Sequence, residues 1–387
     1  MGRVAVKAGR TSCAGGEICT VPPAVESPTA SVRVRRTSLR WGGVLGALLF
    51  TTTCGAPTGL PVEQRYMHFL ESLVASSGMV RSRPNDDFTT AWKNALAAMA
   101  FLHEGNSQAA RGILDVFGAY QAAQGSAFRG VPQGWDAAAA VPVAQGSQTD
   151  ADYYWVGDGG GLLRAVQYYG LATGDRQRYR SLEDALKQWL AGRADSCATI
   201  VAEGNANMYA ALSAYAADTT IAPRLVQLRQ CFYNGVQFDN IGDHTVRAAL
   251  VFGDPSGFSH LDGLERTETW CVDARTTVHA FAAYTGEVYV NADISTELLL
   301  AWTLWKQQSG RDLGFLERQI QALQLGGSSD PEARGLPYLV TPHQFPGACS
   351  TPIVDTTAFM LFALWEWNPF SLGGSPASSV ARTVGGH

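Results

Sequence analysis

Acidic and aromatic side chains recur in front of the most apolar helical segments of this chain. Asp86 and Asp87 precede the first such segment, FTTAWKNALAAMAFL, residues 88–102. Comparable groups lead or open the later ones: Asp152, Tyr153, Tyr154, Trp155 and Asp158; Glu203 and Asn205; Glu265, Glu268, Trp270 and Asp273; Tyr289, Asn291, Asp293 and Glu297; His343 and Asp355. Carboxyl groups that converge on a partly dry cleft raise each other's pKa, so that one can donate a proton while another accepts one.

Each of these positions also has a purely structural interpretation. Asp and Asn at a helix start accept hydrogen bonds from free N–H groups and favour the positive end of the helix dipole. Glutamate is a poor N-cap, so a functional role is favoured more strongly for Glu203 and Glu268 than for any single Asp. Trp155 and Trp270 can either stack on the apolar face of a pyranose or pack beneath a loop.

The elements that must position these groups are helices of two kinds. Amphipathic helices with one apolar stripe are predicted at residues 61–77, 106–120, 175–192, 219–233 and 311–324. Helices that are apolar around most of their circumference are predicted at residues 88–102, 160–174, 205–217, 272–286, 294–308 and 353–367. A helix that is apolar all round must be enclosed by other helices. Short connections favour antiparallel neighbours, so the alternation predicts six parallel inner helices within an outer ring.

Two features interrupt this regular alternation. Only seven residues separate the segment ending at Gly286 from that starting at Ile294, so the ring is expected to be irregular around residues 286–294. Two long insertions, residues 124–157 and 234–271, each precede an inner helix. Loops of this length in a compact domain are usually lids or binding loops, and these two would lie where the inner N-termini converge.

The net charge of −5 is unevenly distributed along the chain. Residues 1–54 carry seven basic and two acidic residues, so the remaining residues carry about −10. An acidic body without a basic stripe argues against nucleic-acid binding.

The basic start resembles a bacterial lipoprotein export signal. VRVRRTSLRW is followed by the apolar GGVLGALLF, which is too short to span a bilayer, and then by TTTCGAPTG. The resemblance implies lipidation at Cys54, although Thr51 and Thr53 depart from the usual pattern. RRTSLR also resembles a twin-arginine signal. We therefore expect an exported, periplasmic or cell-envelope protein whose membrane contact is limited to a lipid anchor; a disordered arm is the alternative.

These patterns predict the domain organisation. Residues 1–54 form an export signal and preceding arm, residues 55–60 a linker, residues 61–370 a single helical domain and residues 371–387 a disordered tail. Four cysteines fall in the helical domain: Cys197, Cys231, Cys271 and Cys349. They form either two disulfides or four buried thiols, and the sequence does not fix the pairing.

Motifs for other chemistries are absent. No CxxC, GxSxG or HExxH occurs, and GDGGG (157–161) is neither preceded by a strand nor followed by GK[ST]. We therefore expect neither a metal site nor a cofactor.

Three stretches resemble the (α/α)6-toroid, or six-hairpin glycosidase-like, superfamily. They are DDFTTAWKNALAAMAFLHEGNSQAARGILDVF (86–117), VAEGNANMYAALSAY (201–215) and GLPYLVTPHQFPGACSTPIVDTTAFMLFALWEWNPF (335–370). The resemblance implies an all-α fold, an (α/α)6 toroid, and an oligo- or polysaccharide ligand. The superfamily includes glycosidases, unsaturated glucuronyl hydrolases, polysaccharide lyases and sugar epimerases, so fold alone does not fix the reaction. A monomer is expected.

Glycoside hydrolysis requires two carboxyl groups on either side of one bond, one of them protonated. We predict Glu203 as the general acid and Asp87 or Asp273 as the base. The predicted substrate-binding residues are Asp86, Trp155, Asp158, Asn205, Glu268, Trp270, Tyr289 and His343. Two alternatives remain: a non-catalytic glycan-binding scaffold, and a lyase or epimerase whose base is a His or Tyr, from His260, His279, His343, Tyr153 and Tyr154.

Overall fold

The computed structural model describes residues 60–144, 154–193, 202–234, 242–305, 312–326, 330–342 and 347–371. In these ranges the α-helices are α1 Val62–Ser72, α2 Ala91–Glu104, α3 Ser107–Gln124, α4 Val156–Thr173, α5 Arg180–Arg193, α6 Ala202–Leu212, α7 Ala222–Asn234, α8 Gly242–Phe252, α9 Ala292–Leu304, α10 Leu313–Gln321 and α11 Val354–Leu364. The strands are β1 Phe88–Thr90, β2 Gly134–Asp136, β3 Val141–Pro142, β4 Glu265–Thr269, β5 Thr277–Phe281, β6 Leu325–Gly326, β7 Arg334–Pro337 and β8 Pro352–Ile353.

Six helices form a closed inner ring. In ring order they are α2, α4, α6, α8, α9 and α11; each packs against the next, and α11 packs against α2. Helices α3, α5, α7, α10 and α1 lie outside this ring. The predicted (α/α)6 toroid is confirmed.

The first pair of helices shows how the sequence sets the direction of the inner helices. Helix α2 begins after Thr90, whose side chain accepts a hydrogen bond from the backbone N–H of Lys93, and it ends at Gly105, which has φ 89°. Asn106 then caps α3 by accepting from the N–H of Ala109, 3.1 Å away. Such tight reversals return each outer helix beside its inner partner, so the inner N-termini meet at one end. We call this end, formed by the first two turns of the six inner helices, the mouth.

The prediction of an inner helix at residues 272–286 is wrong. There, β5 pairs with β4 in an antiparallel hairpin. The local reason is a β-branched run, Thr276 to Val278, followed by the buried Ala280 and Phe281, which suits a strand packed on one face. The fourth inner helix is α8, within the second segment predicted as a loop insertion. A 3₁₀-helix, Ser256–Leu264, and the β4–β5 hairpin occupy the place of the fourth outer helix, so the irregularity begins earlier than predicted.

The other predicted insertion contributes two short strands before α4. Strand β2 pairs with both β1 and β3 in a small antiparallel sheet. This sheet lies at the start of α2, beside the mouth.

The chain after α11 closes the opposite end of the ring. The carbonyl of Pro369 accepts hydrogen bonds from the buried guanidinium of Arg164, at 3.2 Å and 3.3 Å. The Asn368 side chain donates to the carbonyl of Leu250 in the last turn of α8, at 2.8 Å. Phe370 is buried in the core. The mouth lies at the other end of the ring from the Asn368 contact with the last turn of α8.

A disulfide joins the β4–β5 hairpin to the segment before α11. Cys271 and Cys349 are bonded at 2.03 Å, and Cys231 is also disulfide-bonded, so the interpretation of four free thiols is wrong. Cys197, and with it the full pairing, lies outside the described residues, as do residues 1–54 with Cys54. The predicted domain boundaries stay predictions. Among the described helices, none has the length and apolar character needed to cross a membrane.

Candidate active site

The mouth holds a group of ionisable side chains that come from all six inner helices. Every one lies in the first two turns of its helix, so the helix starts bring them together. We call this group the acidic cluster; in the described part of the chain its members are the carboxyl groups of Asp158, Glu203, Asp243, Asp293, Glu297 and Asp355, and the cations Lys93 and Arg247.

Arg247 of α8 is the buried centre of the acidic cluster, with a side chain only 1% exposed. Its guanidinium forms a bidentate pair with Glu297, at 2.8 Å and 3.1 Å. Its Nη2 atom also lies 3.3 Å from Asp243 and 3.5 Å from Glu203. Burial alone would lower the pKa of Arg247, but the three carboxyl groups outweigh burial and raise it. Arg247 is therefore a permanent buried cation.

Three aromatic rings lie against the guanidinium of Arg247. The guanidinium carbon lies 5.0 Å from the ring centre of Phe370, 5.7 Å from Phe359 and 5.9 Å from Trp92. Such contacts stabilise a desolvated cation and keep water away from it. Phe370, which belongs to the segment after α11, thus contacts Arg247 of the acidic cluster.

Glu203, in the first turn of α6, has the properties of a proton donor. Burial raises the pKa of its carboxyl group to about 8, and neighbouring Asp243 raises it further than Arg247 lowers it. The side chain is nevertheless 26% exposed, so its tip can reach a ligand. A carboxyl group that is protonated at neutral pH and accessible from outside can transfer its proton to a bound molecule.

Asp355, in the first turn of α11, forms an ion pair across to α2. Its Oδ2 atom lies 2.8 Å from the ammonium of Lys93, and the two side chains are only 12% and 18% exposed. Asp293 of the adjacent helix α9 accepts a hydrogen bond from Thr356 at 3.3 Å. Burial and the charge of Asp355 raise the pKa of Asp293 to about 8.

Glu203 and Asp355 belong to the third and sixth inner helices, which face each other across the ring axis. Six helices spaced by ~9 Å place opposite axes roughly 18 Å apart, and each backbone and side chain reaches several ångströms inward. The remaining gap is comparable with the ~5–10 Å between carboxyl groups that glycoside hydrolysis requires.

Asp158 is the most deeply buried carboxyl group of the acidic cluster. It is 0% exposed, and neither of its oxygens accepts a hydrogen bond of normal geometry from the described residues. Burial and the nearby Glu203 raise its pKa well above the usual value, against the opposing effects of the Trp92 N–H and Lys93. The Oδ1 atom of Asp355 is likewise buried without a partner. Buried polar atoms left unsatisfied are characteristic of sites prepared for a ligand or a proton.

Aromatic side chains border the acidic cluster. Trp155 directly precedes α4, is partly exposed and lies over Gly157, where a Cβ would approach its ring to 2.9 Å. Tyr338 lies near Asp293: burial raises the pKa of its hydroxyl, and Asp293 adds to this effect. Asn205 is buried on α6 beside Glu203. Trp155, Asp158, Glu203 and Asn205 thus lie at the mouth, and their predicted catalytic and binding roles stay predictions.

The two predicted bases lie elsewhere. Asp87 is half-exposed and paired with Arg81 at 2.7 Å, while Asp86 is paired with Arg83 at 2.7 Å. Asp273 lies in the turn of the β4–β5 hairpin, where hydrogen bonds from the Arg275 N–H and the Thr276 hydroxyl lower its pKa. None of these carboxyl groups contacts the acidic cluster. Their catalytic roles stay predictions.

Three predicted binding residues are hydrogen-bonded to other parts of the protein. Glu268 accepts from the N–H of Val290 at 2.8 Å. Trp270 is buried and donates to the carbonyl of Cys349 at 2.9 Å. Tyr289 is buried and donates to Glu287 at 2.7 Å. His343 lies outside the described residues, so its predicted role stays a prediction.

The sequence analysis missed Lys93, Asp243, Arg247 and Tyr338. Lys93 and Arg247 had a recognisable signal, because each is a charged residue inside an otherwise apolar helical segment, WKNALAAM and TVRAALVF. Such a residue must be paired when it is buried. In the described part of the chain, no group of three or more His, Cys, Asp or Glu residues is arranged to hold a metal ion.

Comparison with known proteins identifies the fold. No protein-family model matches the sequence, and no curated protein matches it. A wild-type glycosidase of known structure superposes with a TM-score of 0.57 at 12% identity, over 79% of this chain and 96% of its own. A substituted glycosidase in complex with glucose superposes with a TM-score of 0.58 at 12% identity, over 79% and 95% of the two chains. At this identity the similarity shows the fold, which is that of glycosidases of the (α/α)6 toroid type.

Proposed function

We propose that the protein is a glycoside hydrolase acting on an oligo- or polysaccharide at the mouth. The observation that carries this proposal is the contrast between two carboxyl groups on opposite inner helices. Burial raises the pKa of Glu203 to about 8, whereas Asp355 forms an ion pair with Lys93 at 2.8 Å. Glycoside hydrolysis requires a proton donor of this kind and a second carboxyl group to act as base or nucleophile.

The chemistry follows from these two states. Glu203 donates its proton to the glycosidic oxygen as the bond between that oxygen and the anomeric carbon breaks. Asp355 acts on the other face of the sugar, either by bonding to the anomeric carbon or by taking a proton from an attacking water. Trp155 supplies an aromatic face for an adjacent sugar ring. In this proposal Asp355 replaces Asp87 and Asp273, which the structure leaves outside the acidic cluster.

The neighbouring structures support this proposal through their fold. One of them is a glycosidase in complex with glucose, and its superposition covers most of both chains.

A panel of polysaccharides tests the reaction class. The purified protein should release new reducing ends from at least one glycan without ultraviolet absorbance from unsaturated products. Unsaturated products would identify a lyase instead. Binding without any cleavage across the panel would favour the non-catalytic scaffold.

Activity should be lost on the alkaline side near pH 8. Since Glu203 must be protonated to act, and burial raises its pKa to about 8, kcat/KM is expected to be sustained at neutral pH. Above pH 8 it should fall about tenfold per pH unit. The measurement is kcat/KM against pH on a cleaved glycan; an alkaline limb below pH 6 would contradict the assignment of Glu203.

We also propose that the chain is exported and anchored through a lipid on Cys54. The support is the sequence of residues 32–59, with its basic, apolar and small-residue segments in signal order. Mass spectrometry of the membrane-extracted protein tests the anchor. An acyl modification at Cys54 that is absent from a Cys54→Ser variant is expected, and an unmodified Cys54 would exclude the anchor.

A further inference from the structure

The charge balance of the acidic cluster bears on which glycans can enter the mouth. The cluster contains the six carboxyl groups and two cations named above. Burial raises the pKa of Asp158, Glu203, Asp293 and Glu297, and even with all four protonated the ion-paired Asp243 and Asp355 balance the two cations. The mouth thus has no net positive charge to offer a ligand.

Both cations of the acidic cluster are already occupied by protein carboxylates. Arg247 lies beside Asp243, Glu203 and Glu297, is 1% exposed, and has aromatic rings against its guanidinium. Lys93 is committed to Asp355 at 2.8 Å. Near the start of α11, Arg81 and Arg83 are paired with Asp87 and Asp86. A carboxylate on a bound sugar would have to compete with these existing pairs.

Independent features indicate that the mouth is a ligand site and not only a set of helix caps. The Oδ1 atom of Asp355 lacks a hydrogen-bond partner among the described residues, and neither oxygen of the fully buried Asp158 accepts a hydrogen bond of normal geometry there. Trp155, which directly precedes the helix of Asp158, is partly exposed. An unsatisfied carboxylate oxygen such as Oδ1 of Asp355 accepts hydrogen bonds from sugar hydroxyls, but it repels a sugar carboxylate.

On these grounds we propose that the mouth is specific for electrically neutral glycans and rejects chains of uronic acids. This inference rests on the proposed function, and it separates this protein from the members of its structural class that act on acidic sugars. A substrate carboxylate in the mouth would lose hydration in a partly dry site and find both cations of the acidic cluster already paired with protein carboxyl groups.

Matched ligand pairs test the inference. The probes are β-1,2-, β-1,3- and β-1,4-linked glucose hexasaccharides and the same chains oxidised at C6 to glucuronate. Their affinities for the full-length Glu203→Gln variant are measured by calorimetry, and cleavage by the unsubstituted protein is followed in parallel. We expect at least one neutral chain to bind ~10-fold or more tightly than its oxidised counterpart. Raising the salt concentration to about 0.5 M should narrow this ratio, because salt screens repulsion.

Two further variants locate the source of the selectivity. Asp243→Asn removes one carboxylate beside Arg247 and should reduce the neutral-to-acidic ratio. Glu104→Gln removes an exposed carboxyl group at the far end of α2 and should leave the ratio unchanged.

The outcomes separate the inference from the proposed function. Equal or tighter binding of an oxidised chain, or no binding of any neutral chain, would overturn the inference. Neutral selectivity in binding without cleavage would leave the inference standing and overturn only the hydrolase proposal. Cleavage of neutral and oxidised chains at equal rates would overturn the inference and leave the hydrolase proposal standing.

Discussion

Replacing Glu203 by glutamine is expected to lower kcat/KM on a cleaved glycan by roughly 10²–10⁴-fold, the usual contribution of a general acid. Glutamine preserves the size of the side chain but cannot donate the proton that burial holds on the carboxyl group at neutral pH. The Glu203 side chain is partly exposed, and a glutamine carbonyl oxygen can still accept from Arg247, which lies 3.5 Å away. The fold and substrate binding should therefore persist. Initial rates and calorimetric binding on the same glycan measure the two effects separately.

The matched control is Glu104→Gln, the same substitution on an exposed residue at the opposite end of an inner helix. It should retain the rate of the unsubstituted protein. Asp355→Asn should show a larger loss than Asp87→Asn or Asp273→Asn, because only Asp355 belongs to the acidic cluster. Wild-type turnover in Glu203→Gln would remove Glu203 from the chemistry, and a larger loss at Asp87 or Asp273 would transfer the role of the base to that residue.

Replacing Arg247 by methionine should produce the largest loss of stability, about 3–5 kcal/mol in the free energy of unfolding at pH 7. The substitution fills most of the space but leaves Glu297, which forms a bidentate pair with Arg247, without its countercharge. Asp243 and Glu203 lose the same cation. The loss should be smaller at pH 5, where the uncompensated carboxyl groups can take up protons. Urea unfolding at both pH values tests this expectation.

A comparable surface pair provides the control for Arg247. Arg180 and Asp184 form an ion pair one helical turn apart on α5, with both side chains well exposed. Arg180→Met should therefore unfold close to the unsubstituted protein. The double variant Arg247→Met/Glu297→Met should recover part of the lost stability, since removing both charges of a buried pair costs less than removing one. A loss at Arg247 no greater than that at Arg180 would contradict the central role of Arg247.

Hydrophobic periodicity predicted most of the fold because enclosed helices have few alternatives. Five inner helices were located by their apolar circumference, and Gly105 and Gly174 marked reversals that the structure shows as left-handed helix ends. The fourth inner helix, α8, was not predicted. Arg247 and Thr245 are buried on this helix but are polar residues, so the segment does not show the continuous apolar circumference that marked the other inner helices.

The residue types predicted some of the side chains at the mouth. They did not predict which side chains pair with one another, because these pairs form only when the ring of inner helices closes. Glu203 and Asp158 were identified because acids at the start of enclosed helices must face the mouth. Asp273 was misplaced because its segment forms a hairpin, whose pairing depends on contacts that no local pattern contains. Asp87 is close in sequence to the start of α2, but it forms an ion pair with Arg81 at the protein surface. Nothing in the sequence alone showed that Asp355 would oppose Glu203.

The most direct test of the central claim is a crystal structure of the Glu203→Gln variant with an oligosaccharide that the unsubstituted protein cleaves. A glycosidic oxygen is expected within hydrogen-bonding distance of the side chain at position 203, with Asp355 on the opposite face of the sugar and Trp155 stacked on a neighbouring ring. An oligosaccharide bound away from the mouth, or one in the mouth with no glycosidic oxygen near position 203, would contradict the assignment.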